Sequence, residues 1–258
     1  METLVKIVKS VKEIISDRCQ AEKIKEKGTA DFVTAVDFNV QKEIKHQLAH
    51  DYPEADFLGE EDKTTAFDRR KKVFVLDPVD GTTNLIHDYK MSAVSLALVE
   101  NGTVTKGVVY NPFTDELFTA ERGRGAFLNG KPIHVSSAAS LSDGLISIGT
   151  SPYEKKRADK LFKLFKQVFL EAQDIRRSGS AALDLCFIAA GRTDGYFEQN
   201  LKPWDFAAGS LILQEAGGII TDFFGKEIDI FANSDILAAT GGCHRDLLAK
   251  IANVFSSK

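Results

Sequence analysis

The stretch Val73-Phe-Val-Leu-Asp77-Pro-Val-Asp80-Gly-Thr-Thr-Asn84 decides the reading of this chain. Four apolar residues predict a buried strand, and two carboxylates three apart follow where the backbone leaves the sheet. Pro78 fixes one torsion and Gly81 permits an unusual one, so the turn is tight and rigid. Such a turn can direct Asp77, Asp80 and the Val79 carbonyl into one small space, as hard oxygen ligands for magnesium. Gly81-Thr82-Thr83 then opens a helix, whose free N–H groups attract phosphate. Metal ligands and an anion cradle adjoin by construction. A lone Asp-Gly-Thr would be a capped, solvated turn; the full segment and its companions point to chemistry.

The companions lie far away in sequence. Gly59-Glu60-Glu61-Asp62 also follows a strand, and successive acids repel unless solvated or shared with cations. Trp204-Asp205-Phe206 sets an aspartate at a predicted helix start, beside the chain's only tryptophan. Asp31-Phe-Val-Thr34-Ala-Val-Asp37 places acids at a helix entrance, where capping is the default explanation. Each is weak alone. Together they are a strong signal.

Outward from these points, elements follow from periodicity. Leu4, Ile7, Val8, Val11, Ile14 and Ile15 predict a helix ending before Gly28. A second is capped by Asp37, buries Val40, Ile44 and Leu48, and is closed by Pro53. Ala55 to Leu58, Ala93 to Val99, Val104 to Tyr110, Glu116 to Ala120, Ala126 to Leu128 and Ile133 to Val135 predict strands, with Asn101-Gly102 and Asn129-Gly130 as hairpin turns. Beyond Ser136 the pattern changes. Strands at Leu145 to Ile148, Tyr196-Phe197, Ile219 to Thr221 and Ile236 to Ala239 alternate with helices at Lys155 to Glu171, Ser180 to Ala190, Asp205 to Ala216 and Arg245 to Val254. The predicted organisation is an α+β half over 1–135 and an α/β half over 136–258, in one compact body.

Composition sets the bounds. With 258 residues, 43% hydrophobic and 27% charged, the chain reads as an ordinary globular protein. A formal charge of −4 argues against nucleic acid as a bulk partner. No stretch approaches the ~20 apolar residues that span a bilayer, so no membrane partner is expected. Cys19, Cys186 and Cys243 are far apart and odd in number, which fits thiols in a reducing compartment and a cytoplasmic protein. No histidine has ligand spacing with carboxylates; His87, just past the phosphate turn, is read as surface. Arg122-Gly-Arg-Gly125 lacks the context of a dinucleotide fingerprint and is read as a strand connection.

Glu60-Glu61, Asp77-Pro-Val-Asp80-Gly-Thr82-Thr83 and Trp204-Asp205 together resemble the signature set of the inositol monophosphatase family. Asp31 to Asp37, Gly123-Arg-Gly-Ala-Phe-Leu-Asn-Gly130, Arg177-Ser-Gly-Ser-Ala-Ala182 and Glu215-Ala-Gly-Gly218 extend the likeness over nearly the whole chain. The resemblance implies a layered αβαβα sandwich of the inositol monophosphatase and fructose-1,6-bisphosphatase type, usually a homodimer, with its site between the halves. It also implies Mg2+, two to three ions per subunit. Glu60, Asp77 and the Val79 carbonyl would hold the first, and Asp77, Asp80 and Asp205 the second. A weaker third would involve Glu60, with Asp37 acting through water. Gly81, Thr82 and Thr83 would bind phosphate, while Ala181 and Glu198 would contact the alcohol part of a phosphorylated polyol or sugar.

The reaction expected is hydrolysis of a phosphomonoester, inositol 1-phosphate foremost, without a covalent intermediate. Glu60 and the Thr82 hydroxyl would orient the attacking water, between ions ~3.5–4 Å apart. Lithium, the family's usual inhibitor, would compete for a magnesium position. Fructose 1,6-bisphosphate and NADP are alternative substrates on the same fold, and Arg176 and Arg177 would meet a second phosphate or a dimer interface. Haloacid-dehalogenase-like phosphatases are the rival enzyme class, but their aspartates are two apart near the N-terminus. A cation-dependent partner-binding protein without catalysis is the non-enzyme alternative; every matched ligand position carries its expected residue, which disfavours it.

Overall fold

The computed structural model describes residues 1–28, 31–62, 67–153 and 155–255. The expectation for Asp31 concerns a side chain outside those described. Three short helices open the chain: α1 (Glu2–Ser10), α2 (Lys12–Ser16) and α3 (Arg18–Ala21). A single helix was expected here. The apolar period does run on, but Asp17 turns extended and accepts the Cys19 and Gln20 N–H groups, starting a new helix. A small hairpin follows, β1 (Ile24–Gly28) against β2 (Asp31–Thr34). Next comes α4 (Ala35–Asp51), capped by Thr34 rather than by Asp37, which lies three residues inside and closes a reciprocal capping box.

A seven-stranded sheet comes next: β3 (Asp56–Gly59), β4 (Lys72–Asp80), β5 (Ala93–Glu100), β6 (Thr103–Asn111), β7 (Glu116–Glu121), β8 (Ala126–Leu128) and β9 (Lys131–Ile133). Its spatial order is its sequence order; β3 and β4 run parallel and the remaining pairs antiparallel. The five-residue α5 (Thr82–Ile86) leaves the end of β4. Asn101 and Gly102 both take positive φ in the β5–β6 turn, as do Asn129 and Gly130 between β8 and β9, which is why those pairs were readable as hairpins.

The second sheet contains β10 (Leu145–Ile148), β11 (Asp174–Arg176), β12 (Gly195–Leu201), β13 (Ile219–Asp222) and β14 (Ser234–Ala239) in the order β11-β10-β12-β14-β13. Between its strands lie α6 (Ala158–Phe169), α7 (Ala181–Ala189) and α8 (Pro203–Glu215), and α9 (Gly241–Phe255) follows. Asp205 therefore sits in the first turn of α8 and not at its start, because Pro203 opens the helix.

Alternation along the strands assigns the layers. Phe74 and Leu76 of β4 join Leu4, Val8, Val40 and Ile44 in one core, while Val73 and Val75 join α7, α8, Tyr196 and Ile236 in another. Phe197, Leu237 and Ala239 face the other way, onto α6 and α9. Helices α7 and α8 are apolar on nearly every side because they lie between two sheets. The order is helix, sheet, helix, sheet, helix: an αβαβα sandwich. Phe169, near the end of α6, is 55% exposed although it continues the apolar period of Leu161, Leu164, Phe165 and Val168.

Candidate active site

Sheet register delivers the acids. Gly59 pairs with Leu76 and the Glu60 N–H donates to the Leu76 carbonyl at 3.2 Å, so Glu60 comes alongside Asp77. Asp77 lies opposite Ser95 on β5, and the Ser95 hydroxyl donates to the Trp204 carbonyl at 3.1 Å. That bond holds the start of α8 against the sheet and brings Asp205 over. The β4–β5 register shifts between Asp77 and Asp80, a bulge that re-aims both carboxylates. The chain thus stays in the sheet through Asp80 instead of leaving it at Asp77.

Each aspartate is anchored through one oxygen, leaving the other available to a ligand. Asp77 Oδ1 accepts the Val79 N–H at 2.9 Å. Asp80 Oδ2 accepts the Ser180 hydroxyl and the Ala182 N–H at the start of α7. Asp205 Oδ2 accepts the Lys202 N–H at 2.7 Å. Gly81, at φ +89°, makes the corner into α5; a Cβ there would stand 2.9 Å from the Met91 carbonyl oxygen.

These residues line a cavity of about 250 Å³. Glu60, Asp77, Val79, Asp80, Gly81, Thr82, Thr83, Ala181, Glu198 and Asp205 all reach its wall. Asp37 does not. It lies behind the turn, its Oδ2 accepting the Thr34 N–H (2.9 Å) and hydroxyl (2.6 Å) and its Oδ1 the Thr82 hydroxyl (3.0 Å). Pro152, Tyr153, Gly179 and Leu201 also line the cavity and were not read from sequence. Gly179 falls within the Arg177 to Ala182 stretch, whereas Pro152, Tyr153 and Leu201 come from a loop and a strand end where no period or motif marks them. Arg177 is on the wall too, with its guanidinium 3.2 Å from the Thr150 hydroxyl, while Arg176 pairs with Asp174 in the same chain. His87 is exposed and away from the lining, as read. Arg122-Gly-Arg-Gly125 joins β7 to β8, with the Gly123 and Gly125 N–H groups donating to Glu215.

Electrostatics makes the wall hungry for cations. Burial, then the charges of Glu60, Asp80 and Asp205, push the Asp77 carboxyl well above the usual carboxylate range. Burial pushes Asp80 up to about 6, although its bonds from Ser180 and Ala182 pull the other way. Asp205 is raised by burial and then by Asp80. Arg177 is the one cationic side chain on the described wall. The donors are carboxylate and carbonyl oxygens without histidine or thiolate, a hard set that suits magnesium. Among the described residues no three or more acidic, histidine or cysteine side chains stand close enough together to hold a metal ion by themselves. An open wall of this kind fits magnesium, which keeps several waters and shares its shell with substrate phosphate.

The fold and the site define a layered sandwich with an acid-lined cleft at the end of β4, beside the middle helix layer. The chain belongs to the inositol monophosphatase family, which matches residues 1–257. Over 202 residues (78% of this chain and 73% of the relative) it is 43% identical to a protein from Xylella fastidiosa named Nus factor SuhB. It is also 43% identical to an inositol-1-monophosphatase from Rhizobium meliloti, over 196 residues, 76% of this chain and 74% of that one. The crystal structure of the extragenic suppressor protein suhB from Bartonella henselae superposes with a TM-score of 0.92 at 38% identity, covering 97% of each chain.

Proposed function

We propose that this protein is a magnesium-dependent phosphomonoester hydrolase acting on a phosphorylated polyol, inositol 1-phosphate foremost. The observation that carries this reading is the meeting of Glu60, Asp77, Asp80 and Asp205 with the Gly81-Thr82-Thr83 turn and Glu198 in one cavity. Glu60, Asp77 and the Val79 carbonyl would hold one ion; Asp77, Asp80 and Asp205 would hold a second. A third position would draw on Glu60. Bound magnesium neutralises the phosphate and stabilises charge on the entering and leaving oxygens.

The chain's own groups supply orientation. Thr82 directs its one proton at Asp37 Oδ1 (3.0 Å) or the Val79 carbonyl (3.1 Å), so its oxygen is left to accept from the attacking water. Asp37 would thus serve the reaction by orienting Thr82, beside the water-mediated contact to an ion that the resemblance implies. Glu60, beside Asp77, orients the same water. The Gly81 and Thr82 N–H groups and the Thr83 side chain seat the phosphate, and Glu198 with Ala181 faces the alcohol.

The test is phosphate release from inositol 1-phosphate, fructose 1,6-bisphosphate and NADP, with magnesium and then with a chelator. The reading expects chelator-sensitive turnover with the highest kcat/KM on inositol 1-phosphate. Turnover that survives complete chelation, or none on any ester, contradicts it. Lithium is expected to inhibit by competing with magnesium. We further propose a homodimer, supported by Phe162, Phe169 and Leu170, which are 62%, 55% and 72% exposed on and just after α6. Light scattering that reports only monomer at micromolar concentration contradicts that part. Among the described residues no helix is long and apolar enough to cross a membrane, and the three cysteines are unpaired, which favours a reducing compartment, the cytoplasm.

A further inference from the structure

Glu198 is 8% exposed on the cavity wall, and both of its oxygens are taken from behind. Oε2 accepts the hydroxyl of Tyr196, two residues back on β12, at 2.5 Å. Oε1 accepts the Ser151 N–H at 2.7 Å. Ser151 holds a left-handed backbone, φ +41°, which side chains other than glycine's rarely adopt; its hydroxyl is tied to the Gln199 carbonyl at 2.6 Å. Gly149 provides the space: a Cβ there would stand 2.1 Å from the Glu198 carboxyl carbon. Tyr196 itself is wholly buried. A flexible carboxylate on a cavity wall has therefore been fixed by two donors and a missing side chain.

We infer that Tyr196 is a positioning residue that sets alcohol selectivity: it fixes the Glu198 carboxylate so that its remaining lone pairs meet adjacent hydroxyls of a polyol phosphate. The inference rests on the phosphatase reading above and deepens it. A carboxylate has about four acceptor sites over its two oxygens. Tyr196 and the Ser151 N–H occupy one on each; the Ser151 hydroxyl also stands 3.5 Å from Oε1, but its single proton is directed at the nearer Gln199 carbonyl, so the remaining pair is left to accept two hydroxyls at a defined spacing. The ring of Tyr196 touches neither the phosphate turn nor the carboxylates of Asp77 and Asp80 through any described hydrogen bond, so its influence passes through Glu198.

The test compares Tyr196→Phe with the unaltered protein on two esters, inositol 1-phosphate and the hydroxyl-free p-nitrophenyl phosphate. The substitution removes the phenolic hydroxyl and keeps the packed ring. KM for inositol 1-phosphate is expected to rise about tenfold, equivalent to about 1.4 kcal/mol. Its kcat, and both constants for p-nitrophenyl phosphate, are expected to stay within about twofold. In a Glu198→Ala background Tyr196→Phe is expected to change nothing further, because the group it positions is gone. Equal rises in KM on both esters, no rise on the polyol ester, or a persistent effect in the Glu198→Ala background would overturn the inference while leaving the phosphatase reading intact. Absence of magnesium-dependent release from either ester by the unaltered protein would overturn both.

Discussion

At Asp77, burial and four neighbouring carboxylates act in one direction, so the carboxyl holds its proton more tightly than an ordinary aspartate. Asp80, raised to about 6, is protonated more readily than an ordinary aspartate but ionises below neutral pH. For an acid whose folded pKa lies above its unfolded value, the folded state binds the proton more tightly, and stability is lost as pH rises through the folded pKa. Without metal, this contribution to stability falls as pH rises from the ordinary aspartate value through about 6. Magnesium reverses the balance by displacing the protons. Its binding should release more protons at pH 6 than at pH 8 and raise Tm more at pH 8; calorimetry in two buffers and paired melts check this, and pH-independent values would contradict it. Asp77→Asn relieves the repulsion while removing a ligand. Metal-free Tm should rise or hold, and kcat/KM should fall by about 10²-fold or more. Substantial magnesium-dependent turnover in that variant would remove Asp77 from the site. The sequence marked Asp77 and Asp80 by the spacing within one turn. It could not mark the roles of Ser151 or Ser180, whose partners are distant in sequence, or that of Tyr196, whose bond to Glu198 two residues on has no motif to announce it.

The elements around the site show where sequence period is enough and where it fails. The turn from β4 into α5 was legible because Pro78 restricts the backbone and Gly81 admits the positive φ that the corner needs. β11 was not, since three residues are too few to display a period, and β1 is largely polar, supported by β2 alone. The first helix was over-extended because apolar spacing persists through Val11 and Ile15 while Asp17 breaks the backbone. Asp37 was taken for a cap and Asp205 for the first residue of a helix; each lies in the first turn, where an acid accepts an N–H from the cap residue and still presents its other oxygen. For α4 that makes the cap part of the site. Thr34→Ala should cost about 1 kcal/mol of stability through the lost capping box. It should also lower kcat more than it raises KM, because Asp37 loses the hydroxyl that orients it towards Thr82. A normal kcat with only a lower Tm would reduce Thr34 to a structural cap.

Across the whole molecule, the αβαβα order follows from which elements are apolar on one face and which on all. Helices α7 and α8, buried between the sheets, carry Ala181, Ala182 and Asp205 to the end of β4, and Ser95 and Asp80 bind them there. That convergence was expected from the family resemblance the motifs carry; the means, a register that sets Ser95 opposite Asp77, was beyond any single stretch of sequence. Ions held there would join the seven-stranded sheet to the middle layer. At magnesium a hundred times its Kd the gain is about 2.7 kcal/mol, a rise in Tm of roughly 5–10 °C that the Asp77→Asn protein should lack. The most direct measurement is a crystal grown with manganese in place of magnesium, with anomalous scattering recorded near the manganese edge. The account predicts anomalous peaks bounded by Glu60, Asp77, Asp80 and Asp205. Well-ordered side chains at these positions with no peak among them, or peaks only elsewhere on the protein, would contradict it.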